Sequence, residues 1–308
     1  MVQWDDGRCV LPKTVSTSAL LGRRARWIEM PWHAAVYDKN FNPYQQICGG
    51  TLVSTTVVIS AAHCFWNGQL LPGTGYAVAV GKKYRPWNSK RDPGAQKSDV
   101  AEILVPSRYR GSSTNFQDDI ALLKLVSEVT FTSYVQPVCL DLNTDEDVLL
   151  ESYGKVAGWG LTGEDARPSP VLKAVEMPYV PIHQCIEESP LTFWSHITSD
   201  KICAGFKNGT AVCRGDSGGG LVFASGDDDR FYLQGIVSAA PSNDHLCNVY
   251  TYAAFTFVSK HEKFITKHMS IGVSVCNIQN HRFLLSAFGC IHCKPCTYTN
   301  FSVSVCFG

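Results

Sequence analysis

A serine set among glycines is the residue of this sequence best suited to act as a nucleophile. Ser217 lies in the segment 213–220, CRGDSGGG. Glycines let the backbone turn sharply and approach a substrate, and they leave N–H groups free to face a developing negative charge. Gly215 and Ser217 are therefore the predicted donors of an oxyanion hole. The alternative is a surface turn, where Gly, Asp and Ser are common for conformational reasons.

A serine hydroxyl needs a general base, and that base needs an acid to orient it. His63 follows the apolar residues 57–59, and this pattern predicts a strand that leads into one helical turn. Asp119 directly precedes an apolar run and lies at the mouth of a predicted buried strand. His63 is the candidate base and Asp119 the candidate orienting acid. We interpret the adjacent Asp118 as a solvated neighbour, and the other eight histidines as structural or surface residues.

These motifs together resemble the trypsin-like serine proteases, which have the chymotrypsin fold. The likeness rests on AAHC at 61–64, DDIALLKL at 118–125 and GDSGG at 215–219, and it covers roughly residues 31–268. Further segments agree in their order along the chain: PW at 31–32, CGGTLV at 48–53, GWG at 158–160 and GIVS at 235–238. The resemblance implies an all-β fold of two packed six-stranded antiparallel β-barrels with a closing C-terminal helix. It also implies a serine-type endopeptidase without cofactor or metal.

The hydrophobic pattern favours the same fold. Short strands with period-two alternation and short apolar runs between Gly, Pro and Ser fill most of residues 31–258, whereas apolar residues in 257–268 recur at helical intervals. We therefore expect three parts. They are an N-terminal propeptide or linker remnant at 1–18, a protease domain at 19–268 and a cysteine-containing extension at 269–308. Within the protease domain we expect an N-barrel at about 19–135, a C-barrel at about 136–256 and a helix at 257–268.

Composition narrows the partners and the compartment. The 27 basic and 27 acidic residues cancel, so charge gives no reason to expect nucleic acid as a partner. No apolar stretch is long enough to span a bilayer, and no membrane partner is predicted. The thirteen cysteines indicate an oxidising compartment, and we expect a secreted, extracellular protein acting on a protein or peptide substrate.

The resemblance also implies four disulfides, which use eight of the thirteen cysteines. Cys9 with Cys139 would tether the N-terminal piece, and Cys48 with Cys64 would hold the loop that carries the histidine. Cys185 with Cys203 would close a loop of the second barrel, and Cys213 with Cys247 would brace the substrate pocket. A cysteine that the family often has before its GWG segment is replaced here by Gly154.

Substrate specificity is implied by the residue six positions before the serine, which forms the floor of the pocket in this family. It is Ala211 here, whereas members that bind Lys or Arg have an aspartate. Ser238, Ala239 and Ala240 stand where many members carry Ser-Trp-Gly, and Asn248 belongs to the far wall. An uncharged pocket offers nothing to offset the desolvation of a cation. We therefore expect cleavage after small or medium apolar residues, as in elastases and chymotrypsins.

Members of the family are made as zymogens, and cleavage frees an N-terminus that folds onto the aspartate beside the nucleophile. That aspartate is Asp216, and the family's spacing places the new terminus at Ala19, or one residue later at Leu20. Family members usually have Ile or Val at the new terminus, so Ala19 would bury less side chain. No Arg or Lys immediately precedes either residue. Because Ser18 and Ala19 suit the predicted pocket, we hypothesise autoactivation.

The last forty residues carry five further cysteines, of which three lie in the segment 290–296, CIHCKPC. Thiolates at this spacing suit zinc, but we interpret the extension as disordered, with unpaired thiols and no metal. Asn208 and Asn300 begin the pattern of N-glycosylation acceptors.

Two functions stay open. The first is an active endopeptidase, and the second is a non-catalytic protease homologue that acts as a binding or regulatory module. Such homologues usually have a replaced triad residue, and none is replaced here. The segment 31–35, PWHAA, and the uncharged activation site also resemble the modular serine proteases that initiate insect immune cascades. Those proteases carry recognition modules upstream, so similar modules are expected in a longer chain.

Overall fold

The computed structural model describes residues 23–24, 29–162, 167–209, 211–225, 230–243 and 246–269. Its strands are β1 Arg23–Arg24, β2 His33–Asp38, β3 Gln45–Leu52, β4 Val57–Ser60, β5 Tyr76–Val80, β6 Gln96–Leu104, β7 Ala121–Leu125, β8 Tyr153–Gly158, β9 Leu161–Thr162, β10 Arg167–Pro168, β11 Lys173–Val180, β12 Lys201–Ala204, β13 Gly220–Ala224, β14 Phe231–Ala239, β15 Ser242–Asn243, β16 Leu246–Cys247 and β17 Ala253–Phe257. Its α-helices are α1 Ile182–Glu188 and α2 Glu262–Met269. Short 3-10 turns cover Ala62–Phe65, Gly73–Gly75, Gly111–Thr114, Glu146–Leu149, Leu191–His196 and Val258–His261.

The first half of the chain forms a closed barrel with the strand order β2-β3-β4-β7-β6-β5. All neighbouring strands are antiparallel. The β-branched residues that favour strands fill its interior, among them Val36, Val58 and Ile59, which are all fully buried. Tyr37 is fully buried as well, so the expected alternation along β2 is lost where both of its faces are covered.

The second half forms a ring in the order β11-β12-β17-β14-β13-β8, which an additional β8–β11 pairing closes. The prediction of two six-stranded antiparallel barrels in an all-β fold is therefore confirmed. One detail differs from the expected boundaries, because β1 pairs with residues 173–174 of β11 and so joins the second barrel. Strand β12 pairs only with Tyr179 and Val180 of β11, which leaves the opposite end of that edge for β1.

The closing helix lies where the sequence predicts it, with a different start. Phe257 is still the last residue of β17 and pairs with Gly235, so the helical part begins as the 3-10 turn Val258–His261 and continues as α2. Val258 and Ile265 are fully buried in the same apolar cluster as first-barrel residues. The helix thus anchors the end of the second barrel against the first.

Two disulfides brace the elements that surround the site. Cys48 on β3 is bonded to Cys64 in the turn after β4, and Cys185 on α1 is bonded to Cys203 on β12. Each bridge is expected to stabilise the fold by roughly 2–4 kcal/mol, chiefly by restricting the unfolded chain. In the part of the chain that the structure describes, no helix has the length and hydrophobicity needed to cross a bilayer.

His33, at the start of β2, is a buried histidine between the two barrels. Its ring lies 5.0 Å from the ring of Trp159, and only 4% of the residue is exposed. Its Nε2 has no hydrogen-bond partner among the described residues. Burial lowers the pKa of His33 to about 4, because the charged form would lose its hydration.

We predict that His33→Leu removes part of the acid sensitivity of the fold. The unfolded chain protonates this imidazole near pH 6.5 and the folded chain only near pH 4, so the unfolded state binds more protons between these values and stability falls as the pH is lowered. At pH 5 the wild-type histidine should cost roughly 2 kcal/mol of unfolding free energy, which the variant regains.

Urea unfolding at pH 5 and pH 7.5 measures this difference. The exposed His183 supplies the control, since His183→Leu should follow the wild-type pH dependence. Equal pH dependence of the His33 variant and the wild type would show that this histidine is not buried in its neutral form.

Candidate active site

The strand–turn unit β4 to Phe65 carries the candidate base. Strand β4 ends at Ser60, whose Oγ donates to the carbonyl of Gly49 at 2.7 Å, and the 3-10 turn begins two residues later. The Cys48–Cys64 bridge then fixes this turn to β3. The side chain of His63 is about one-fifth exposed, at 21%. The disulfide thus fixes the backbone that carries this imidazole, while one edge of the ring is accessible to a substrate.

Asp119 lies under this imidazole and is completely buried. Its Oδ2 is 2.8 Å from Nδ1 of His63, and its Oδ1 accepts the backbone N–H of His63 at 2.9 Å. Ser238 on β14 donates its hydroxyl to Oδ2 at 2.6 Å, and Thr256 on β17 donates to the backbone carbonyl of Asp119 at 3.0 Å. Residues from both barrels thus fix one carboxylate.

The two ring partners stabilise each other's charged forms. For Asp119, burial opposes ionisation, but the charge and hydrogen bond of His63, the Ser238 hydroxyl and the Lys201 ammonium outweigh it and lower the pKa. For His63, burial opposes protonation, and the charge and hydrogen bond of Asp119 outweigh it and raise the pKa. Such an imidazole is suited to accept and return a proton near neutral pH.

The loop of Ser217 lies directly against the segment that carries His63. The carbonyl of Ser217 accepts the N–H of Gly49 at 2.7 Å. Gly218 has a φ of +78°, and a Cβ there would lie 2.6 Å from the Gly49 oxygen and 3.0 Å from the Ala61 nitrogen. Only glycine permits this approach of the two backbones.

The predicted oxyanion donors lie in a tight turn with their amides available. Asp216 donates its N–H to the carbonyl of Cys213 at 2.9 Å, and Gly215 has a φ of +96°. Gln46 holds the turn by donating its side-chain amide to the Gly215 carbonyl at 3.0 Å. Among the described residues, neither the N–H of Gly215 nor that of Ser217 donates to a backbone carbonyl. These bonds leave room for the predicted role of the two amides as oxyanion donors.

The carboxylate of Asp216 points towards the 158–160 segment. Oδ1 accepts the N–H of Gly160 at 2.7 Å and Oδ2 accepts that of Cys213 at 3.0 Å. Burial nevertheless dominates and raises the pKa of Asp216 to about 6, since the two N–H groups compensate only partly. A cation arriving at this carboxylate would favour its ionised form.

The predicted pocket residues lie in neighbouring segments with apolar surroundings. Ala211 is half-buried and precedes Val212, which packs in a cluster with Val237 of β14 and Ala253 of β17. Ala240 packs against the same cluster, and Ala239 pairs with Ala254. Asn248 donates its N–H to the carbonyl of Pro241 at 3.0 Å, and Gly209 donates its N–H to the carbonyl of Val249 at 3.1 Å. Gly209 and the segments 211–213, 238–241 and 248–253 thus lie together.

Four residues around the site belong to none of the sequence motifs that predict it. Thr256 and Ala253 belong to an apolar strand run, and Lys201 is part of β12. Phe116 faces His63 with ring centroids 6.0 Å apart, in a loop where Asn115, Phe116 and Asp118 have φ values of 52°, 58° and 59°. Left-handed non-glycine residues cost on the order of 1–3 kcal/mol each. The unfavourable backbone conformation suggests that this loop has a function, and it can be recognised only in the structure.

Several predicted residues fall outside the described part of the chain. They are Cys9, Ala19, Leu20, the segment 290–296 and Asn300. Cys213 is disulfide-bonded, and the side chain of its predicted partner Cys247 is likewise not described. Cys139 is buried beside Tyr232, with which it forms a parallel bridge. Asn208 is exposed, as a glycosylation acceptor must be.

Comparison with known families identifies the fold that this geometry belongs to. A family model described as Trypsin matches residues 20–261. The match includes His63, Asp119 and Ser217, and it ends within the turn that precedes α2.

Individual relatives are similar over most of the chain. Clotting factor C of Tachypleus tridentatus is 34% identical over 247 residues, which make up 75% of this chain and 23% of that protein. The CLIP domain-containing serine protease HP8 of Bombyx mori is 32% identical, over 70% of this chain and 60% of that protein. Melanization protease 1 of Drosophila melanogaster is 33% identical, over 70% and 56%. The chain therefore spans less than two thirds of each of these relatives.

We predict that Asp119→Asn lowers the pKa of His63 below its ordinary value of 6.5. The substitution removes the carboxylate that raises this pKa, whereas burial and the charge of Lys201, which lower it, remain. Titration of the histidine ring signals by NMR measures the change. Asp118→Asn is the matched control at the adjacent position, and it should leave the pKa of His63 raised. If the two substitutions acted alike, the assignment of Asp119 as the partner would be wrong.

Proposed function

Because the chain belongs to the trypsin family of serine proteases, we propose that it is a secreted serine endopeptidase with a Ser217, His63 and Asp119 triad. The observation that carries the proposal is the pair of short bonds on a fully buried carboxylate, 2.8 Å to His63 and 2.6 Å to Ser238. A buried charge held in this way orients an imidazole in one tautomer. The proposed chemistry involves no metal or cofactor.

The proposed reaction is acyl transfer to Ser217. Its Oγ attacks the peptide carbonyl carbon while Nε2 of His63 takes the hydroxyl proton, and Asp119 stabilises the imidazolium. The negative charge that forms on the carbonyl oxygen is bound by the N–H groups of Gly215 and Ser217. The imidazolium then gives its proton to the leaving amine, and water hydrolyses the acyl-enzyme by the same steps.

Activation is proposed to act through Asp216. Cleavage at Ala19 or Leu20 would supply an ammonium group, and Asp216 is a half-buried carboxyl whose raised pKa reports an incompletely compensated charge. An ammonium there would stabilise the ionised form and, through the Cys213 to Ser217 turn, the oxyanion donors. This switch makes the single chain a zymogen, and the small side chains of Ser18 and Ala19, which suit the proposed pocket, support autoactivation.

We further propose a preference for small or medium apolar residues before the cleaved bond. This rests on Ala211 and on the apolar cluster that surrounds Val212, Val237 and Ala253. In such surroundings a Lys or Arg side chain would lose hydration without gaining a counter-charge. Apolar substrates are instead favoured by the surface that they bury.

Secretion and a place in a proteolytic cascade complete the proposal. Disulfides Cys48–Cys64 and Cys185–Cys203 suit an oxidising compartment. The names of the relatives refer to clotting and melanization, and the chain spans only part of each relative. We propose a protein substrate and upstream recognition modules on this basis. The alternative is a non-catalytic homologue that uses the same fold to bind or regulate a partner.

A serine-reactive fluorophosphonate probe tests the catalytic proposal. The processed protein should be labelled on Ser217 only, and Ser217→Ala should reduce labelling on the order of 10³-fold or more. Sequencing the new N-terminus should give Ala19 or Leu20. If autoactivation operates, purified Ser217→Ala protein stays uncleaved. Confirmed cleavage without any labelling would contradict catalysis and favour the non-catalytic homologue.

A change at the pocket floor tests the specificity proposal. Ala211→Asp should raise the ratio of kcat/KM for Arg over Leu peptides by at least about tenfold, because a carboxylate would now compensate the guanidinium. A peptide library scanned at the position before the cleaved bond measures this ratio. Ala224→Asp adds the same charge at an exposed position and should leave the apolar preference unchanged. A wild-type preference for Arg or Lys would rule out the proposed pocket.

A further inference from the structure

We infer that Lys201 is a positioning residue for the catalytic pair, fixing from the second barrel the loop that carries Asp119. This inference rests on the proposed function for its catalytic meaning, and on geometry for its mechanism. Lys201 is the first residue of β12, and its side chain has no exposed surface. A fully buried lysine is rare and needs partners for its ammonium.

The ammonium of Lys201 makes two bonds of 2.9 Å, to the Phe116 carbonyl and to Oδ2 of Asp200. The same Oδ2 of Asp200 accepts the N–H of Asp118 at 2.9 Å. The Lys201–Asp200 pair of the second barrel therefore holds Phe116 by its carbonyl and Asp118 by its amide. These are two of the left-handed residues that immediately precede Asp119.

The clamped loop touches both members of the catalytic pair. Its next residue is Asp119, and the ring of Phe116 lies edge-on to the ring of His63. A left-handed backbone at Phe116 and Asp118 is unfavourable by itself, so it needs external bonds to persist. The clamp supplies these bonds, and the Asp119 carboxylate is directed at Nδ1 of His63 as a result.

Further charged groups complete the network around the clamp. Arg108 donates to Oδ1 of Asp118 at 3.1 Å, and the ring nitrogens of His261 lie 3.8 Å from Asp118 and 3.5 Å from Asp200. The interpretation of Asp118 as a solvated neighbour is therefore wrong, because the residue is only 4% exposed and bonds within this network. Asp118, Asp200 and His261 are close enough to resemble a metal site. Because an ammonium and a guanidinium already bond to the two carboxylates, we interpret the cluster as an internal ion-pair network.

The buried ammonium also acts on the catalytic pair through space. Its positive charge lowers the pKa of His63 and helps to lower that of Asp119. Removing the charge should therefore raise the pKa of His63. Substitution of a residue with a merely structural role would change the stability of the fold and leave the pKa of His63 unchanged.

The chain offers a matched control in a second buried pair, Lys82 with Asp92. Their bond is also 2.9 Å, with 1% and 0% of the side chains exposed, and it holds the 82–92 loop of the first barrel. Lys82 contacts neither His63 nor Asp119 in the described residues. Lys82→Met and Lys201→Met thus remove the same kind of group from the same depth.

The experiment compares these two substitutions by kinetics and by NMR. With Ser217 present, Lys201→Met should lower kcat on the order of tenfold with KM within about twofold, and raise the pKa of the acid limb of kcat/KM. In a Ser217→Ala background, it should raise the pKa of the His63 ring and shift or broaden its Nδ1–H signal. Lys82→Met should lower the melting temperature and leave these signals and kcat unchanged.

Equal behaviour of the two variants, whether both alter the His63 signals or neither does, would overturn the inference. If Lys201→Met does not fold, the double variant Asp200→Asn with Lys201→Met removes both charges and leaves none unpaired. It still loses the bond to Phe116, so an unchanged Nδ1–H signal in it would also overturn the inference. Failure of wild-type labelling at Ser217 would instead refute the proposed function, and the NMR comparison would still test the clamp.

Discussion

The burial of one ionised carboxylate, that of Asp119, is the constraint on which the rest of the site depends. A charge without solvent contact needs bonds to all of its oxygens. Here His63 of the first barrel supplies two bonds and Ser238 of the second supplies a third. The candidate pair therefore exists only when the two barrels are docked, and the apolar cluster shared between them serves the site as much as the fold.

The fold and the contact between His63 and Asp119 could be predicted from the sequence, and the role proposed for Ser217 is also drawn from it, for a physical reason. A nucleophilic serine needs a specific local backbone, and that backbone requires glycines next to Ser217 in the chain. Likewise, His63 follows one short apolar strand and Asp119 precedes another, and the sequence pattern detects both strands. Where function depends on local conformation, a linear pattern records it.

The second barrel's contribution could not be predicted in this way. Lys201 donates to the carbonyl of Phe116, which lies 85 positions earlier in the chain, and nothing in β12 distinguishes a buried lysine from an exposed one. Thr256 is an ordinary strand residue until β17 is placed beside Asp119. The pairing of β1 with β11 likewise depends on the second barrel, because β12 leaves residues 173–174 of β11 without a partner on that edge. Long-range contacts of this kind have no local signature.

The glycines of the 158–160 segment have a consequence for inheritance. A Cβ at Gly158 or Gly160 would overlap the carboxylate of Asp216. One added methyl group at either position would displace the Asp216 side chain and break its hydrogen bond to the Gly160 amide. A missense allele at a residue without any functional group would then be as severe as one at Ser217, the proposed nucleophile. Natural variation is therefore expected to spare these two positions.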